Sequence, residues 1–144
     1  MTESMEKTEL VVKTIAQTAL DNEKYFGDLD AVVGDGDFGY SLARGFEKVL
    51  EGWDDIDRTD AGTFLKKTGM IISSRIGGTS GPIWGTAFMR AGMTAGDKDL
   101  TGTDVVAMLR AAIEDAEAFL GRDPQDRASE QPLSLAMTRE PQAV

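Results

Sequence analysis

Apolar residues recur at helical spacing through most of this chain, and no long segment alternates as a half-buried strand would. Residues at i, i+3, i+4 and i+7 lie on one face of a helix, where they can pack on a core. The pattern predicts five amphipathic helices, at about 8–22, 38–50, 59–74, 82–94 and 103–120. Short polar or glycine-containing segments separate them, so we expect an all-α fold of antiparallel amphipathic helices in a single domain.

Individual residues mark the ends and contacts of these helices. Asp37 stands at the expected N-cap of the second helix, where its carboxylate could accept from the free N–H groups. Thr103 is the expected cap of the fifth helix. Gly69 lies inside the third helix, where the missing side chain predicts a close contact with a neighbouring helix. We interpret the segment 23–27 as the connection from the first helix to an aspartate-rich loop.

The composition limits the chemistry open to the chain. Its 144 residues include no cysteine and no histidine, which excludes disulfides, thiolate zinc sites and a phosphohistidine carried by this chain. The oxygen ligands that remain suit hard cations such as Mg²⁺. A net charge of −10 argues against nucleic acid as a partner. No apolar run approaches membrane-spanning length and no signal peptide is recognisable, so we expect a cytoplasmic protein without a membrane partner.

The stretch 29–39 holds three aspartates, Asp30, Asp35 and Asp37, with glycines between and after the last two. Carboxylates spaced in this way on a glycine-containing loop can fold back to face one point. Without a cation they would repel each other, and at least one would hold a proton. Mg²⁺ takes oxygen ligands and usually also binds substrate phosphates. The alternatives are a solvated acidic turn and a calcium site, although the spacing departs from an EF-hand loop.

A second loop is rich in glycine and hydroxyl residues and precedes the fourth helix: Gly77-Gly78-Thr79-Ser80-Gly81. Backbone N–H groups at a helix N-terminus, with small residues that allow close approach, form a phosphate cradle. The loop is not a P-loop, because no lysine follows its last glycine. Alone it could be a plain connection. Together, the two loops predict a magnesium-nucleotide site.

Five short motifs stand in order along the chain: Leu29-Asp30, Gly34-Asp35-Gly36-Asp37, Ala43-Arg44-Gly45-Phe46, Gly77-Gly78-Thr79-Ser80-Gly81-Pro82 and Gly85-Thr86. At these residues the chain resembles the nucleotide-binding L subunit, or L domain, of dihydroxyacetone kinases. The resemblance runs from about residue 8 to residue 121. This combination, at matching separations, is far more specific than either loop alone.

The resemblance implies an eight-helix up-and-down barrel with a nucleotide, ADP or ATP, capping one end. By matching position, Asp30, Asp35 and Asp37 would ligate two Mg²⁺ ions. The residues that the resemblance implies beside the nucleotide and its phosphates are Phe38, Gly39, Tyr40, Ser41, Gly78, Thr79, Ser80 and Gly121.

The resemblance also implies partners. In this family the phosphoryl group passes to dihydroxyacetone or a related ketose, held as a hemiaminal on a histidine of a separate K subunit or domain. Members use ATP directly, or a tightly held ADP that a phosphotransferase-system protein recharges. Because the substrate-binding histidine belongs to the partner, a chain without histidine can still serve phosphoryl transfer, which depends on positioning and charge neutralisation.

Two features depart from the family pattern. Many members have histidine at the position of Phe38, which predicts a subgroup with another substrate or phosphoryl donor. After Gly121 the family's Gly-Asp-Lys-Thr-Met and Gly-Arg-Ala-Ser segments are missing, and three of the four prolines follow. We therefore expect 1–121 to form a partial L-type domain of about five helices, and 122–144 to be a disordered tail.

Five helices cannot close an eight-helix barrel, so the first and the fifth are expected to expose apolar surface. The leading hypothesis for function is the L-type subunit of a dihydroxyacetone-kinase-like enzyme. The alternative is an inactive module that binds a nucleotide or a partner protein, with weak nucleotide binding because the cover over the nucleotide is missing. A third interpretation is a plain helical bundle with an acidic loop.

Overall fold

The computed structural model describes residues 2–77 and 80–120. Within these residues the chain forms α-helices and one short 3-10 helix, and no strand. The helices are α1 (Glu3–Asp21), α2 (Glu23–Asp30), α3 (Phe38–Glu51), α4 (Ala61–Arg75), α5 (Ser80–Ala95) and α6 (Gly102–Leu120), with the 3-10 helix Trp53–Asp55 between α3 and α4. The predicted all-α class is confirmed. Among the described helices, none is long and apolar enough to cross a membrane.

α2 is the main departure from the five predicted helices. Residues 23–30 form a helix where a connection was expected, and Asp30 is the last residue of that helix. α2 follows α1 after a single residue, Asn22, whose side-chain amide donates to the Thr18 carbonyl oxygen at 2.8 Å. No residue of α2 is buried. The helix lacks the buried apolar stripe by which sequence analysis recognises a helix.

The hydrophobic core lies among α1, α3, α4 and α5. Phe46 of α3 is fully buried and packs edge-on against Trp84 and Phe88 of α5, with ring centroids 5.7 and 6.1 Å apart. Burial of large apolar side chains of this kind is the main favourable contribution to folding. The other large apolar side chains that are fully buried among the described residues are Val12, Val49, Phe64 and Ile72.

Glycines let α4 and α5 approach each other closely. A Cβ atom added to Gly69 of α4 would lie 2.9 Å from the carbonyl oxygen of Gly85 on α5. The close helix contact that was predicted at Gly69 is therefore confirmed. A side chain larger than hydrogen would force the two helices apart at this point.

The loop between α3 and α4 is tied to α1. The Arg58 guanidinium forms an ion pair with Glu9 of α1 and donates to the Ile56 carbonyl oxygen at 2.8 Å. The same group lies over the ring of Trp53 at 5.4 Å and over that of Phe64 at 5.0 Å. One arginine thus connects three elements by charge, hydrogen bonding and aromatic contact.

α6 packs on α5 and begins with a different cap from the one predicted. The Thr101 hydroxyl accepts from the backbone N–H of Asp104 at 3.3 Å, while the Asp104 carboxylate accepts from the backbone N–H of Thr101 at 2.8 Å. This reciprocal pair is a capping box. The prediction of Thr103 as the cap is wrong, because Thr103 lies inside the first turn of α6.

A buried ion pair joins α5 to α6. Arg90 Nε lies 3.6 Å from Asp115 Oδ2, and the two residues are only 1% and 4% exposed. Two charges at such depth lose most of their hydration, so the pair depends on both partners being present.

α6 also borders an open apolar groove. A cavity of about 470 Å³ lies between α1 and α6, with Leu65, Trp84 and Phe88 among the residues that line it. Val11 of α1 and Leu109 of α6 also line it and remain 57% and 59% exposed. The apolar exposure predicted for the first and last helices is confirmed. The predicted tail at 122–144 lies outside the described residues.

Candidate metal centre

Asp30, Asp35 and Asp37 lie on α2, on the turn that follows it and at the start of α3. The turn begins as a continuation of α2, since Ala31 N donates to the Gly27 carbonyl oxygen at 2.9 Å and Gly34 N donates to that of Asp30 at 2.6 Å. Gly36 has a φ of +81°. Because only glycine adopts that conformation without strain, Gly36 lets the chain reverse into α3.

The turn brings the three aspartates together. One carboxylate oxygen from each of Asp30, Asp35 and Asp37 can be chosen so that all three atoms lie within 4.8 Å of one another. Asp30 is half-buried, whereas Asp35 and Asp37 are exposed. The spacing in the sequence predicted that these carboxylates would face one point, and the structure brings them together.

Backbone N–H groups hold the carboxylate of Asp30 in place. Its Oδ2 accepts from the N–H of Gly36 at 3.0 Å and from the N–H of Phe38 at 3.3 Å. Phe38 opens α3, so a carboxylate from the preceding helix satisfies one of the free N–H groups of α3. These bonds leave the other oxygen of Asp30 open to a further ligand.

The prediction that the Asp37 carboxylate caps α3 is wrong. Asp37 is at the N-cap position but its side chain makes no capping bond. Its backbone has φ −96° and ψ −1°, which differs from the extended conformation typical of an N-cap. Asp30 accepts from Phe38 instead, and the Asp37 carboxylate lies beside Asp35.

Asp35 and Asp37 shift each other's pKa in opposite directions. A hydrogen bond with Asp35 raises the pKa of Asp37, and some loss of hydration and the negative charges of Asp35 and Asp30 raise it further. The same bond with the Asp37 side chain lowers the pKa of Asp35, as does the bond from the backbone N–H of Asp37. Like charges this close therefore cost free energy unless a proton or a cation lies between them.

This donor set fits a hard divalent cation. The available ligand atoms are carboxylate oxygens, which Mg²⁺ prefers, and there is no histidine or cysteine in the chain to favour a softer metal. A cation would also relieve the repulsion among the three carboxylates.

The residues predicted beside a nucleotide on α3 divide into two groups. Phe38 and Gly39 face α2: the Phe38 ring lies 6.2 Å from that of Phe26, and Gly39 is buried. Tyr40 is exposed, and Ser41 is partly exposed. The accessible pair can therefore contact a ligand directly, whereas the structure gives the first pair a packing role.

The second predicted loop is described only in part. Gly78, Thr79 and Gly121 lie outside the described residues. Ser80 opens α5, and Gly81 is buried where a Cβ atom would overlap the Ile76 carbonyl oxygen.

Ile76, the residue before this second loop, lies beside α3. A Cβ atom on Gly45 would overlap the Ile76 side chain, so the residue just before the loop packs directly on α3. Gly45 is seven residues, about 10 Å, along α3 from Phe38. This role of Gly45 was not predicted, and its only signal in the sequence was its place in a motif.

One ion pair near the site was also not predicted. Arg44 Nη2 lies 3.2 Å from Glu23 Oε1 at the start of α2. In the sequence, Arg44 stood out only as part of a motif. Nothing indicated Glu23 as its partner, because α2 was not predicted as a helix.

Comparison with known families and proteins finds a match for most of the chain. Residues 32–128 match the family model described as the DAK2 domain. The matched range contains Asp35 and Asp37 and begins two residues after Asp30.

Several curated proteins are similar to the chain. The ADP-binding subunit DhaL of a PEP-dependent dihydroxyacetone kinase from Escherichia coli (strain K12) is 37% identical over 105 residues, which are 72% of this chain and 50% of that protein. The ADP-binding subunit DhaL of a PTS-dependent dihydroxyacetone kinase from Lactococcus lactis is 32% identical over 101 residues, or 70% of this chain and 53% of that protein. L-erythrulose 1-kinase from Mycolicibacterium smegmatis is 35% identical over 122 residues, or 81% of this chain and 21% of that protein. The chain thus spans about half the length of the two subunits.

Proposed function

Since the chain belongs to the DAK2 domain family, we propose that it is the magnesium-nucleotide-binding subunit of a dihydroxyacetone-kinase-like phosphotransferase. In this proposal the phosphoryl group passes to a ketose, dihydroxyacetone or a similar sugar, held on a K-type partner subunit. The observation that carries the proposal is the convergence of three carboxylate oxygens within 4.8 Å. It occurs in a chain similar to proteins named ADP-binding subunits.

Asp30, Asp35 and Asp37 would hold two Mg²⁺ ions. Bound magnesium neutralises phosphate charge and orients the phosphate oxygens for transfer. The chain's own contribution is to fix the carboxylates beforehand. The N–H groups of Gly36 and Phe38 orient Asp30, and the turn sets Asp35 and Asp37 beside it.

The nucleotide, ADP or ATP, would lie between the first turns of α3 and α5. Tyr40 and Ser41 are accessible on α3, and Ser80 opens α5. The free N–H groups and the partial positive charge at a helix N-terminus favour phosphate. Gly78, Thr79 and Gly121 stay predictions for the same site. Phe38 and Gly39 pack against α2, which supports an indirect role for them at the nucleotide site rather than direct contact with the nucleotide.

The source of the phosphoryl group separates two versions of this proposal. ATP could supply it directly, or a phosphotransferase-system protein could recharge a bound ADP. The names of the two similar subunits state dependence on PEP or the PTS, which supports the second version. Incubating the chain with the K-type subunit, a ketose and either ATP or a PEP-driven phosphotransferase system would show which donor yields phosphorylated ketose.

Thermal unfolding with and without Mg²⁺ and ADP tests the metal site. A ligand that binds only the folded state raises the melting temperature, so Mg²⁺ with ADP should stabilise the chain. Asp35→Asn should remove that gain, because one of the three converging carboxylates is lost. Asp54→Asn, which changes an exposed aspartate outside the site, is the matched control and should keep the gain. No gain for the unmodified chain would contradict the proposal.

A coupled assay tests phosphoryl transfer itself. With the K-type subunit, dihydroxyacetone and whichever donor the preceding experiment identifies, the unmodified chain and Asp54→Asn should form phosphorylated ketose, and Asp35→Asn should not. Product that persists at full rate in Asp35→Asn would show that the three aspartates do not serve the reaction.

A second candidate is a module that binds a nucleotide or a partner protein without phosphoryl transfer. The observation that favours it is the groove between α1 and α6, where Val11 and Leu109 stay more than half exposed. Large exposed apolar patches often mark interaction sites. This candidate predicts weak binding of Mg-ADP and Mg-ATP and no ketose phosphate. Calorimetry that shows sub-micromolar binding by this chain would argue against it.

A further inference from the structure

α2 carries one of the three proposed metal ligands but adds only the partly buried side chain of Phe26 to the edge of the core. Asp30 is its last residue, and none of its residues is buried. A helix of this length is not stable in isolation. The valines of the turn that follows do not anchor it in the core, since Val32 and Val33 are 80% and 94% exposed. The position of Asp30 therefore depends on how α2 is fastened to α3.

The two helices cross at Gly39. A Cβ atom at this position would overlap the Glu23 carbonyl oxygen and lie 2.6 Å from the Gly27 nitrogen. The backbones of α2 and α3 thus touch where a side chain is absent. A contact at one crossing point fixes the separation of two helices but leaves the angle between them free to vary.

Besides the contact between the Phe26 and Phe38 rings, two polar connections restrict that angle. At the end of α2, Asp30 accepts from the N–H of Phe38. At its start, Glu23 Oε1 lies 3.2 Å from Arg44 Nη2. Glu23 and Asp30 are seven residues apart, about 10 Å along the helix axis. With the crossing point between them, a movement of Glu23 is transmitted along α2 to Asp30.

Arg44 is itself held by its own helix. Its guanidinium lies 5.1 Å from the centre of the Tyr40 ring, one turn earlier, and its Nη2 lies 3.5 Å from Glu47, one turn later. Side chains three and four residues apart on a helix are neighbours. The guanidinium therefore offers Glu23 a position fixed relative to α3.

We propose that Arg44 is a positioning residue of the metal site. Through Glu23 it sets the angle of α2 and so holds Asp30 opposite Asp35 and Asp37. This inference rests on the proposed function only for the claim that the three carboxylates bind a divalent cation.

Charge alone makes the opposite prediction. Replacing Arg44 by a negative residue makes the surroundings of the acidic site more negative, which by attraction would tighten the binding of a cation. Loss of positioning would weaken it. The sign of the change in affinity therefore separates the two roles.

Mn²⁺ is the probe, measured on the full chain by electron paramagnetic resonance of the free ion. Arg44→Glu should weaken Mn²⁺ binding about two- to fivefold, the range expected when a half-exposed ion pair is lost. Glu23→Arg should also weaken it. The double variant Glu23→Arg/Arg44→Glu restores the pair with reversed charges and should recover most of the affinity.

Lys48→Glu is the matched control for charge. It makes the same change of charge on α3, but Lys48 pairs with Glu51 of its own helix, with Nζ and Oε2 3.4 Å apart. It should bind Mn²⁺ at least as tightly as the unmodified chain. Circular dichroism at the temperature of measurement should show every variant folded.

A second readout reports on the ion's ligands rather than on stability. If Asp30 moves away, water replaces its oxygen on the bound ion. The water proton relaxation rate per bound Mn²⁺ should therefore rise in Arg44→Glu and return towards the original value in the double variant.

The possible outcomes are distinct. If Arg44→Glu binds Mn²⁺ as tightly as the unmodified chain or more tightly, while Asp35→Asn abolishes binding, Arg44 has no positioning role and the proposed metal site stands. If the unmodified chain binds no Mn²⁺, or Asp35→Asn binds it equally well, the metal site itself is wrong and this inference fails with it.

Discussion

Three carboxylates meet between α2 and α3 although like charges repel, whereas apolar side chains of α1 and α6 stay apart although burial would favour their contact. At the first place, the hydrogen bond with Asp35 and, after it, the nearby negative charges raise the pKa of Asp37. At the second, Val11 and Leu109 remain more than half exposed. Each place is unfavourable for the chain alone, and each indicates the partner that would relieve it: a cation in one case, apolar surface in the other.

The two places also differ in how they are held. Backbone contact at Gly39 and the N–H groups of Gly36 and Phe38 fix the acidic site. One side of the groove, α6, is held in place because the ion pair Arg90–Asp115 joins it to α5. Close polar contacts with strict geometry give the acidic site its shape, whereas the groove is shaped by helices that are fastened elsewhere.

The largest expected effect comes from breaking the Arg90–Asp115 ion pair, which joins α6 to α5. Asp115→Ala leaves the buried guanidinium of Arg90 without this carboxylate, and loss of one partner of a buried pair costs about 3–5 kcal/mol of unfolding free energy. Urea unfolding should show it. Glu114→Ala, an exposed neighbour on α6, is the control and should change stability by less than about 0.5 kcal/mol.

The acidic site should survive this change if the two places are independent. Among molecules that remain folded, Asp115→Ala should still gain stability from Mg²⁺ with ADP. Loss of that gain in the folded variant would show that α6 and the acidic site are coupled, so the two places would not be independent.

Gly39→Ala should do the reverse of Asp115→Ala: it should disturb the acidic site and leave the groove unchanged. The new methyl group would overlap the Glu23 carbonyl oxygen, so α2 must move away from α3. Overpacking of this kind costs about 1–3 kcal/mol, and the stabilisation by Mg²⁺ with ADP should be lost. Gly102→Ala adds the same methyl group where no atom lies within 4 Å. Its melting curve should keep the gain from Mg²⁺, and an equal loss in both variants would contradict the role of Gly39.

The sequence could predict the helices that are buried along one face. α3, α4 and α5 place residues such as Phe46, Phe64 and Phe88 in the core, and their spacing was visible in the sequence. α2 has no buried residue, so its apolar residues gave no comparable pattern. Its helical form depends on contact with α3, which is a matter of tertiary structure.

Sequence analysis also found which carboxylates converge, but not what each one does. A motif can show that Asp30, Asp35 and Asp37 lie close in the chain. Whether Asp37 or Asp30 accepts from the N–H of Phe38 depends on the end of α2 reaching α3. The same long-range contact gives Gly39 its role, which sequence analysis had assigned to the nucleotide.

Leu109→Ala tests whether the groove is open in solution. Leu109 is more than half exposed, so its truncation should cost less than about 1 kcal/mol. Leu42→Ala removes the same atoms from a buried position and should cost about 2–5 kcal/mol. Chemical unfolding of both variants gives the comparison. Equal losses would show that a partner or another part of the chain covers Leu109.

The smallest expected effect is the pH dependence of the metal-free acidic site. The pKa of Asp37 is raised in the folded chain by its bond to Asp35 and by nearby negative charge. The stability that this proton contributes is therefore complete below the ordinary pKa of about 3.9 and is lost as the pH rises through the raised value. The lowered pKa of Asp35 acts in the opposite direction and is lost as the pH falls.

Asp37→Asn keeps a hydrogen-bond donor for Asp35 at every pH and removes one negative charge. Without metal at pH 7, this variant should melt slightly above the unmodified chain, and the difference should vanish below about pH 4 and shrink in high salt, which screens exposed charges. With Mg²⁺ and ADP the order should reverse, because only the unmodified chain keeps all three carboxylates. Asp54→Asn should show neither effect. If Asp37→Asn melts lower than the unmodified chain without metal at pH 7, the three carboxylates do not repel each other. The acidic site would then not be unfavourable for the chain alone, and it would differ from the apolar groove in this respect.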